Sequence, residues 1–236
     1  MLIGANIDAV LLDAGGVLVL PDPDRMRAVL APLGASPDDE TCRVAHYAGM
    51  RELDRLGIVD WPKVDRVVAR TAGVPEDRIE DALESIERIY LIERWVPAPG
   101  AADALLGLEG AGLKLAIVSN AGGTMANMLF EHNICGLGDG PAAKVAVVID
   151  SHVVGVEKPD PRIFTFALSA LDLGPDRCIY VGDTVHFDVA GARNAGIWPI
   201  HLDPFGLCPD DDHEHVADLA ELVTAALERS TKAGQD

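Results

Sequence analysis

Short apolar runs punctuate the chain and are separated by longer amphipathic stretches. Residues 9–12, 115–118, 145–149, 178–181 and 197–202 are rich in Val, Ile and Leu, as strands buried on both faces must be. Helical periodicity follows or precedes most of them, at 101–108, 124–132, 189–195 and 216–227. A further helix opens at Asp160-Pro161, with an N-cap carboxylate and a proline at its first position. Phe164, Ala167, Leu168 and Leu171 form its apolar stripe. Strand and helix in alternation predict an α/β fold, a doubly wound parallel sheet.

From about Asp24 to Trp95 the alternation stops and every pattern is helical. Ile79, Leu83, Ile86 and Tyr90 mark one face, after a loop at Gly73-Val74-Pro75. Prolines 21, 23, 97 and 99 flank the segment and suit its two linkers. The predicted organisation is therefore an α/β unit made of residues 1–20 and 97–236, with an all-helical unit, 21–96, inserted after the first strand. Val153–Val156 is expected to form a small hairpin, and the small, polar tail from Arg229 is expected to fray.

Composition narrows the function classes. The 236 residues carry a formal net charge of −19, which repels a phosphate backbone and argues against nucleic-acid binding. Solubility is the simplest meaning of that charge. No apolar run is long enough to span a bilayer, and Asp8 and Asp13 interrupt the apolar N-terminal stretch. A cytoplasmic location is the expectation. Cys42, Cys135, Cys178 and Cys208 show no close pairing, which fits free thiols in a reducing compartment.

The ends of the apolar runs carry the candidate chemistry. Asp13 closes the first and is followed by Ala14-Gly15-Gly16-Val17, where the glycines allow a tight turn and a close ligand. The second ends in Ser119-Asn120, before Ala121-Gly122-Gly123 and a helix, a place where an oxyanion can sit. Lys158 lies just before Pro159, in a segment the proline keeps extended. The fourth run ends in Gly182-Asp183, with Asp188 five residues on across a turn. Taken singly, each has a plain structural reading as turn, cap or solvated residue. Asp183 and Asp188 are equally compatible with a capped helix and with a hard divalent cation.

Taken together, in this order, these motifs resemble those of the haloacid dehalogenase superfamily from Ile7 to about His201. The helical insert resembles that superfamily's mobile cap of the first type. The resemblance implies a hydrolase in which Asp13 attacks phosphorus and becomes an aspartyl phosphate. It implies Mg²⁺ held by Asp13, the backbone carbonyl of Gly15 and Asp183, with Asp188 in the outer shell. Ser119 and Asn120 would contact the phosphoryl group, and Lys158 would pair with both that group and Asp13. The implied substrate is a small phosphorylated metabolite, without a nucleic-acid or membrane partner; nothing in the pattern sets an oligomeric state.

One position departs from the family's phosphatases. They place a second Asp two residues after the nucleophile, as general acid and base, and here that position is Gly15. Such catalysis is typically worth about 10²–10⁴-fold. Asp22, Asp24 and His46 are the candidate replacements. A 2-haloacid dehalogenase also lacks the second Asp, and its Ser-Asn-Gly resembles Ser119-Asn120-Ala121, but the retained Asp183 suits a cation that dehalogenation does not need. A phosphonate hydrolase would need a Schiff-base lysine, and Lys63 is read instead as a solvated helix-start residue. A phosphate-binding module without turnover is the alternative of another class. His213 and His215, in Asp210-Asp211-Asp212-His213-Glu214-His215, are read as an acidic surface loop, with metal binding as the other option. His186 is read as a turn residue, and Tyr47, Arg51, Arg55 and Trp61 as one side of an ordinary helical region.

Overall fold

The computed structural model describes residues 3–4, 6–90 and 94–233. The chain runs β1 (Ala9–Leu12), β2 (Val19–Pro21), α1 (Pro23–Leu30), α2 (Asp39–Leu56), α3 (Trp61–Thr71), α4 (Ile79–Ile86), β3 (Trp95–Pro97), α5 (Ala101–Gly110), β4 (Lys114–Ser119) and α6 (Met125–Glu131). It continues through β5 (Cys135–Gly136), β6 (Ala143–Lys144), β7 (Val148–Asp150), α7 (Ser151–Val154), α8 (Arg162–Leu171), β8 (Cys178–Gly182), α9 (Ala190–Asn194), β9 (Trp198–Leu202), β10 (Glu214–Val216) and α10 (Leu219–Ala233).

Six strands form one parallel sheet in the order β10-β9-β8-β1-β4-β7. Alternate residues of β1 feed two cores, as a period of two requires. Val10 and Leu12 pack with α5, α6 and α10, whereas Ala9 and Leu11 pack with α8. After β7 the chain crosses to β8, on the other side of β1. The strand order reverses there, and open α/β sheets bind ligands in the crevice at such a point. Registers of Leu12 with Ile117 and with Val181 bring the carboxyl ends of β1, β4 and β8 close together.

Helices α1–α4 build a separate apolar cluster around Met26, Leu30, Leu53, Val68 and Ile86. Ile79 and Ile86 are buried as the periodicity predicts, but Ile89, rather than Tyr90, completes the buried face. The two linkers to this segment pair as an antiparallel ribbon, β2 with β3, in which Val19 faces Pro97 and Pro21 faces Trp95.

Several elements differ from expectation. The strand expected at 145–149 forms at Val148–Asp150. The hairpin expected at Val153–Val156 is instead a single helical turn, α7, because the Asp150 carboxylate accepts from His152 N and Gly155 closes the turn with a positive φ. Glu214 and His215, expected in an acidic surface loop, and Val216, expected to open the last helix, form β10 beside β9 instead. α10 runs past Arg229 to Ala233, and the remainder of the tail, 234–236, lies outside the described residues.

Phe164 on α8 is fully buried and packs edge-on against Tyr180 of β8, with 4.9 Å between ring centroids. Phe164→Ala should cost about 3–5 kcal/mol, read as a drop in urea unfolding free energy; a cost below about 1 kcal/mol would show that the helix does not depend on this contact.

Candidate active site

Four predicted residues meet in one buried pocket at the sheet's carboxyl edge. Asp13 follows β1, Asp183 follows β8, and Asp188 lies in a single π-helical turn, Val185–Val189. Lys158 arrives from the segment before α8. All four are less than a tenth exposed. Lys158 Nζ lies 2.9 Å from Asp13 Oδ2, 2.6 Å from Asp188 Oδ1 and 2.8 Å from Tyr180 Oη. Its three N–H donors are matched by three acceptors.

Asp188 is fully engaged. Oδ1 lies against Lys158 and Tyr180, while Oδ2 accepts from Thr184 N at 3.0 Å and from the Thr184 hydroxyl at 2.6 Å. Asp183 is less tightly held than Asp188: His46 Nε2 lies 3.6 Å from its Oδ2. Two glycines permit this crowding: a Cβ on Gly16 would fall 1.9 Å from Asp183 Oδ2, and one on Gly182 would fall 2.2 Å from the Asp188 carboxyl carbon. Gly16 also has a φ of 72°, in the left-handed region.

Charge is unbalanced. Three carboxylates share one ammonium group. Burial pushes Asp13 up to about 7, against Lys158 and with help from Asp188 and Asp183. Burial, and then Asp188, pushes Asp183 up to about 8. Burial opposes the Lys158 charge as well, but Asp13 and Asp188 outweigh it and hold the ammonium above its ordinary value. For Asp188 the contacts to Lys158, Thr184 and Tyr180 overcome burial, and its pKa falls. A cluster of hard oxygen donors short of positive charge fits a divalent cation such as Mg²⁺.

The remaining predicted residues take different positions. Ser119 is buried at the tip of β4. Asn120 was expected at the phosphoryl group, but its side chain grips the Lys158 backbone instead: Nδ2 donates to Lys158 O at 3.0 Å, and Oδ1 accepts from Lys158 N at 2.8 Å. Asn120 therefore positions the lysine, since both ends of its amide are occupied. Asp22 caps α1 and Asp24 pairs with Arg27, so neither serves the Gly15 position. Lys63 is exposed and pairs with Asp60 at 2.9 Å, as a helix-start lysine would.

Trp95 fills the space over Gly15. A Cβ there would lie 3.1 Å from the indole Cζ3. His46, Tyr90 and Trp95 stack around one another with centroid separations of 5.7–6.1 Å. His46 Nε2 and Trp95 Nε1 are buried without a hydrogen-bond partner. Tyr47, read as an ordinary helix residue, is buried and donates to Gly16 O at 2.6 Å. Two further contributors went unread in the sequence. Asp150, at the end of β7, accepts from Gly123 N and Met125 N and so shapes the loop after Ser119. Asp54 on α2 accepts from His186 N at 2.7 Å. A carboxylate after a short apolar run was the available signal for Asp150; Asp54 had none.

The raised pKa values set a pH dependence. A carboxyl whose folded pKa lies above its ordinary value of about 4 holds its proton more tightly when folded. The stability this contributes is present at low pH and is lost as pH rises from about 4 through about 8. Metal-free protein should therefore lose thermal stability over that range, with a smaller loss in Asp13→Asn. Scanning calorimetry of both proteins at stepped pH checks this, and equal slopes would contradict it.

Comparison with known proteins agrees with this geometry. The chain is 34% identical over 178 residues to a phosphoserine phosphatase of Thermus thermophilus, covering 73% of this chain and 69% of that one. It is 29% identical over 200 residues to an (S)-2-haloacid dehalogenase of Burkholderia cepacia, covering 81% of each. A solved haloacid dehalogenase family hydrolase from Deinococcus radiodurans R1, with bound phosphate and sodium, superposes with a TM-score of 0.60 at 26% identity, covering 96% of this chain and 97% of that one. The family model described as haloacid dehalogenase-like hydrolase matches residues 7–196. With Asp13, Lys158, Asp183 and Asp188 assembled at the switch point of a parallel sheet, the chain belongs to the haloacid dehalogenase-like hydrolase family.

Proposed function

We propose that the protein hydrolyses a small phosphomonoester through an aspartyl-phosphate intermediate on Asp13. The observation that carries this is the charge deficit around Asp13: three buried carboxylates against one lysine. A cation-dependent reaction on an anionic substrate calls for such a deficit, whereas displacement of halide from carbon does not. The phosphatase among the relatives supports the same choice.

Asp13, the Gly15 backbone carbonyl and Asp183 would hold Mg²⁺, with Asp188 in the outer layer. When bound, the ion screens the repulsion between nucleophile and phosphate. An Asp13 carboxylate oxygen attacks phosphorus, and the ester oxygen departs and takes up a proton from solvent. Water then attacks the same phosphorus and gives up a proton to solvent, releasing phosphate and restoring the Asp13 carboxylate. Splitting the displacement in this way replaces one hard step by two easier ones. Lys158 holds Asp13 in line and meets the phosphoryl oxygens, Ser119 donates its hydroxyl to one of them, and Asn120 fixes the Lys158 backbone.

The helical segment 21–96 is proposed as a first-type cap over a core of 1–20 and 97–236, hinged on the β2–β3 ribbon. It carries His46 and Trp95, whose unpartnered ring nitrogens are donors for the substrate. Burial lowers His46 to about 4, so it acts as a neutral N–H donor. With no carboxyl at position 15, protonation of the leaving oxygen is weak. Turnover should therefore rise steeply with leaving-group acidity, with aryl phosphates cleaved much faster than alkyl phosphates. A flat series would place an efficient general acid in the site.

Gly15 favours haloacid dehalogenation as the second reading. A screen of phosphorylated metabolites and 2-haloacids, with and without Mg²⁺, separates the two. Phosphate release that requires Mg²⁺ is expected, whereas halide release without it would establish the dehalogenase. Silence on both would leave a phosphate-binding module. Asp13→Asn should lower phosphate release by at least about 10³-fold while the circular dichroism spectrum is retained. Retained activity would reject Asp13 as nucleophile.

A further inference from the structure

A second cluster of ligating side chains lies beside the first and takes no part in the chemistry above. β9 and β10 run in parallel with His201 opposite His215. The loop between them folds back, because both Asp203 carboxylate oxygens accept backbone N–H groups, from Leu207 and Cys208, each at 2.9 Å. That fold brings Cys208 and His213 to the two histidines. One donor atom from each of the four side chains can be chosen so that all lie within 4.8 Å of one another. His213, assigned to a surface loop from its acidic neighbours, is in fact buried.

The outward nitrogens fix the tautomers. His201 Nε2 lies 3.2 Å from the Asp183 carbonyl oxygen, and His213 Nδ1 lies 2.6 Å from Asp212 Oδ1. Arg193 braces that carboxylate from its other oxygen at 2.9 Å. A carbonyl and a carboxylate only accept, so the outward nitrogens carry the protons. The inward nitrogens, His201 Nδ1 and His213 Nε2, then present lone pairs to each other across 3.1 Å. Two facing lone pairs repel unless a cation lies between them. Cys208 Sγ stands 3.9 Å from the same His213 nitrogen, and His215 Nε2 is buried with no partner.

We infer that His201, Cys208, His213 and His215 form a structural zinc site. Tetrahedral zinc, with metal–nitrogen distances near 2.0–2.1 Å and metal–sulfur near 2.3 Å, sets neighbouring donors about 3.3–3.6 Å apart. The separations of His213 Nε2 from His201 Nδ1 and from Cys208 Sγ, 3.1 and 3.9 Å, bracket that range. The histidines' outward bonds are those that orient metal ligands in general. Three imidazoles and a thiolate select a borderline-soft ion over Mg²⁺. Four protein donors leave no open position, so the site holds structure rather than performing chemistry.

What it would hold is the 203–213 loop beneath the helical segment. Phe205 from this loop packs on Tyr47, which grips the Gly16 carbonyl, and Asp210 lies 4.0 Å from Arg51. His201 at the same time steadies the Asp183 backbone. Zinc loss would thus loosen both the loop and the seat of Asp183. None of this depends on which ester or halide the active site cleaves.

The test is Co²⁺ and Zn²⁺ titration of the full chain after chelator dialysis. One equivalent of Co²⁺ should give a near-ultraviolet sulfur-to-cobalt charge-transfer band and tetrahedral visible bands, displaced by Zn²⁺ and not by excess Mg²⁺. Cys208→Ser should abolish the charge-transfer band. His215→Ala, on the partly exposed edge strand, should weaken binding by at least about 10-fold and tests the same site if the cysteine variant misfolds. Asp13→Asn should keep the full spectrum. Absence of the band, or metal binding that both variants leave unchanged and Asp13→Asn removes, would overturn the proposal and leave a shared proton between His201 and His213.

Discussion

Lys158 facing Asp13, Asp188 and Tyr180 is the contact on which the rest of the pocket depends. A buried ammonium group is costly unless it is paired and hydrogen-bonded. Here all three of its protons find oxygen, and the chain spends Asn120, Tyr180 and Thr184 to keep that arrangement in place. Asn120 fixes the lysine's backbone, while Tyr180 and Thr184 hold Asp188. The lysine cannot also neutralise Asp183. Once Asp13 and Asp183 ionise, the pocket is short of positive charge, and that shortage is what the proposed cation would relieve.

Much of this was legible in the sequence, and the physical reason is periodicity. Strands buried on both faces must be continuous apolar runs, so β1, β4, β8 and β9 stood out, and their polar ends named Asp13, Ser119 and Asp183. The parallel sheet followed from alternation. Other features were not legible because they depend on contacts distant in sequence. β10 was lost because three residues of an edge strand leave no pattern, and its loss hid the meeting of His201 with His213 and His215. Asn120 was read by its family neighbours rather than by its partner, Lys158, thirty-eight residues away. Asp54 and Tyr47 meet the core only once the helical segment folds over it.

Gly15 illustrates the same limit from the other side. The sequence shows that a carboxyl is missing there; only the fold shows that Trp95 occupies the place its side chain would need. The rings of His46, Tyr90 and Trp95 pack together over that position, and two of their ring nitrogens stay buried and unpartnered. Gly15 and the indole above it are thus one packing arrangement.

Mg²⁺ binding, followed by calorimetry in buffers of different ionisation enthalpy, probes the charge deficit most directly. Burial raises Asp13 to about 7 and Asp183 to about 8, so below neutral pH both carboxyls hold protons in the metal-free protein, and an entering ion must displace them. Release of about one proton or more per Mg²⁺ is expected near about pH 6, declining towards none above about pH 9. Binding without proton release throughout that range would mean that the three carboxylates are already balanced, and the cation would then have no electrostatic reason to be there.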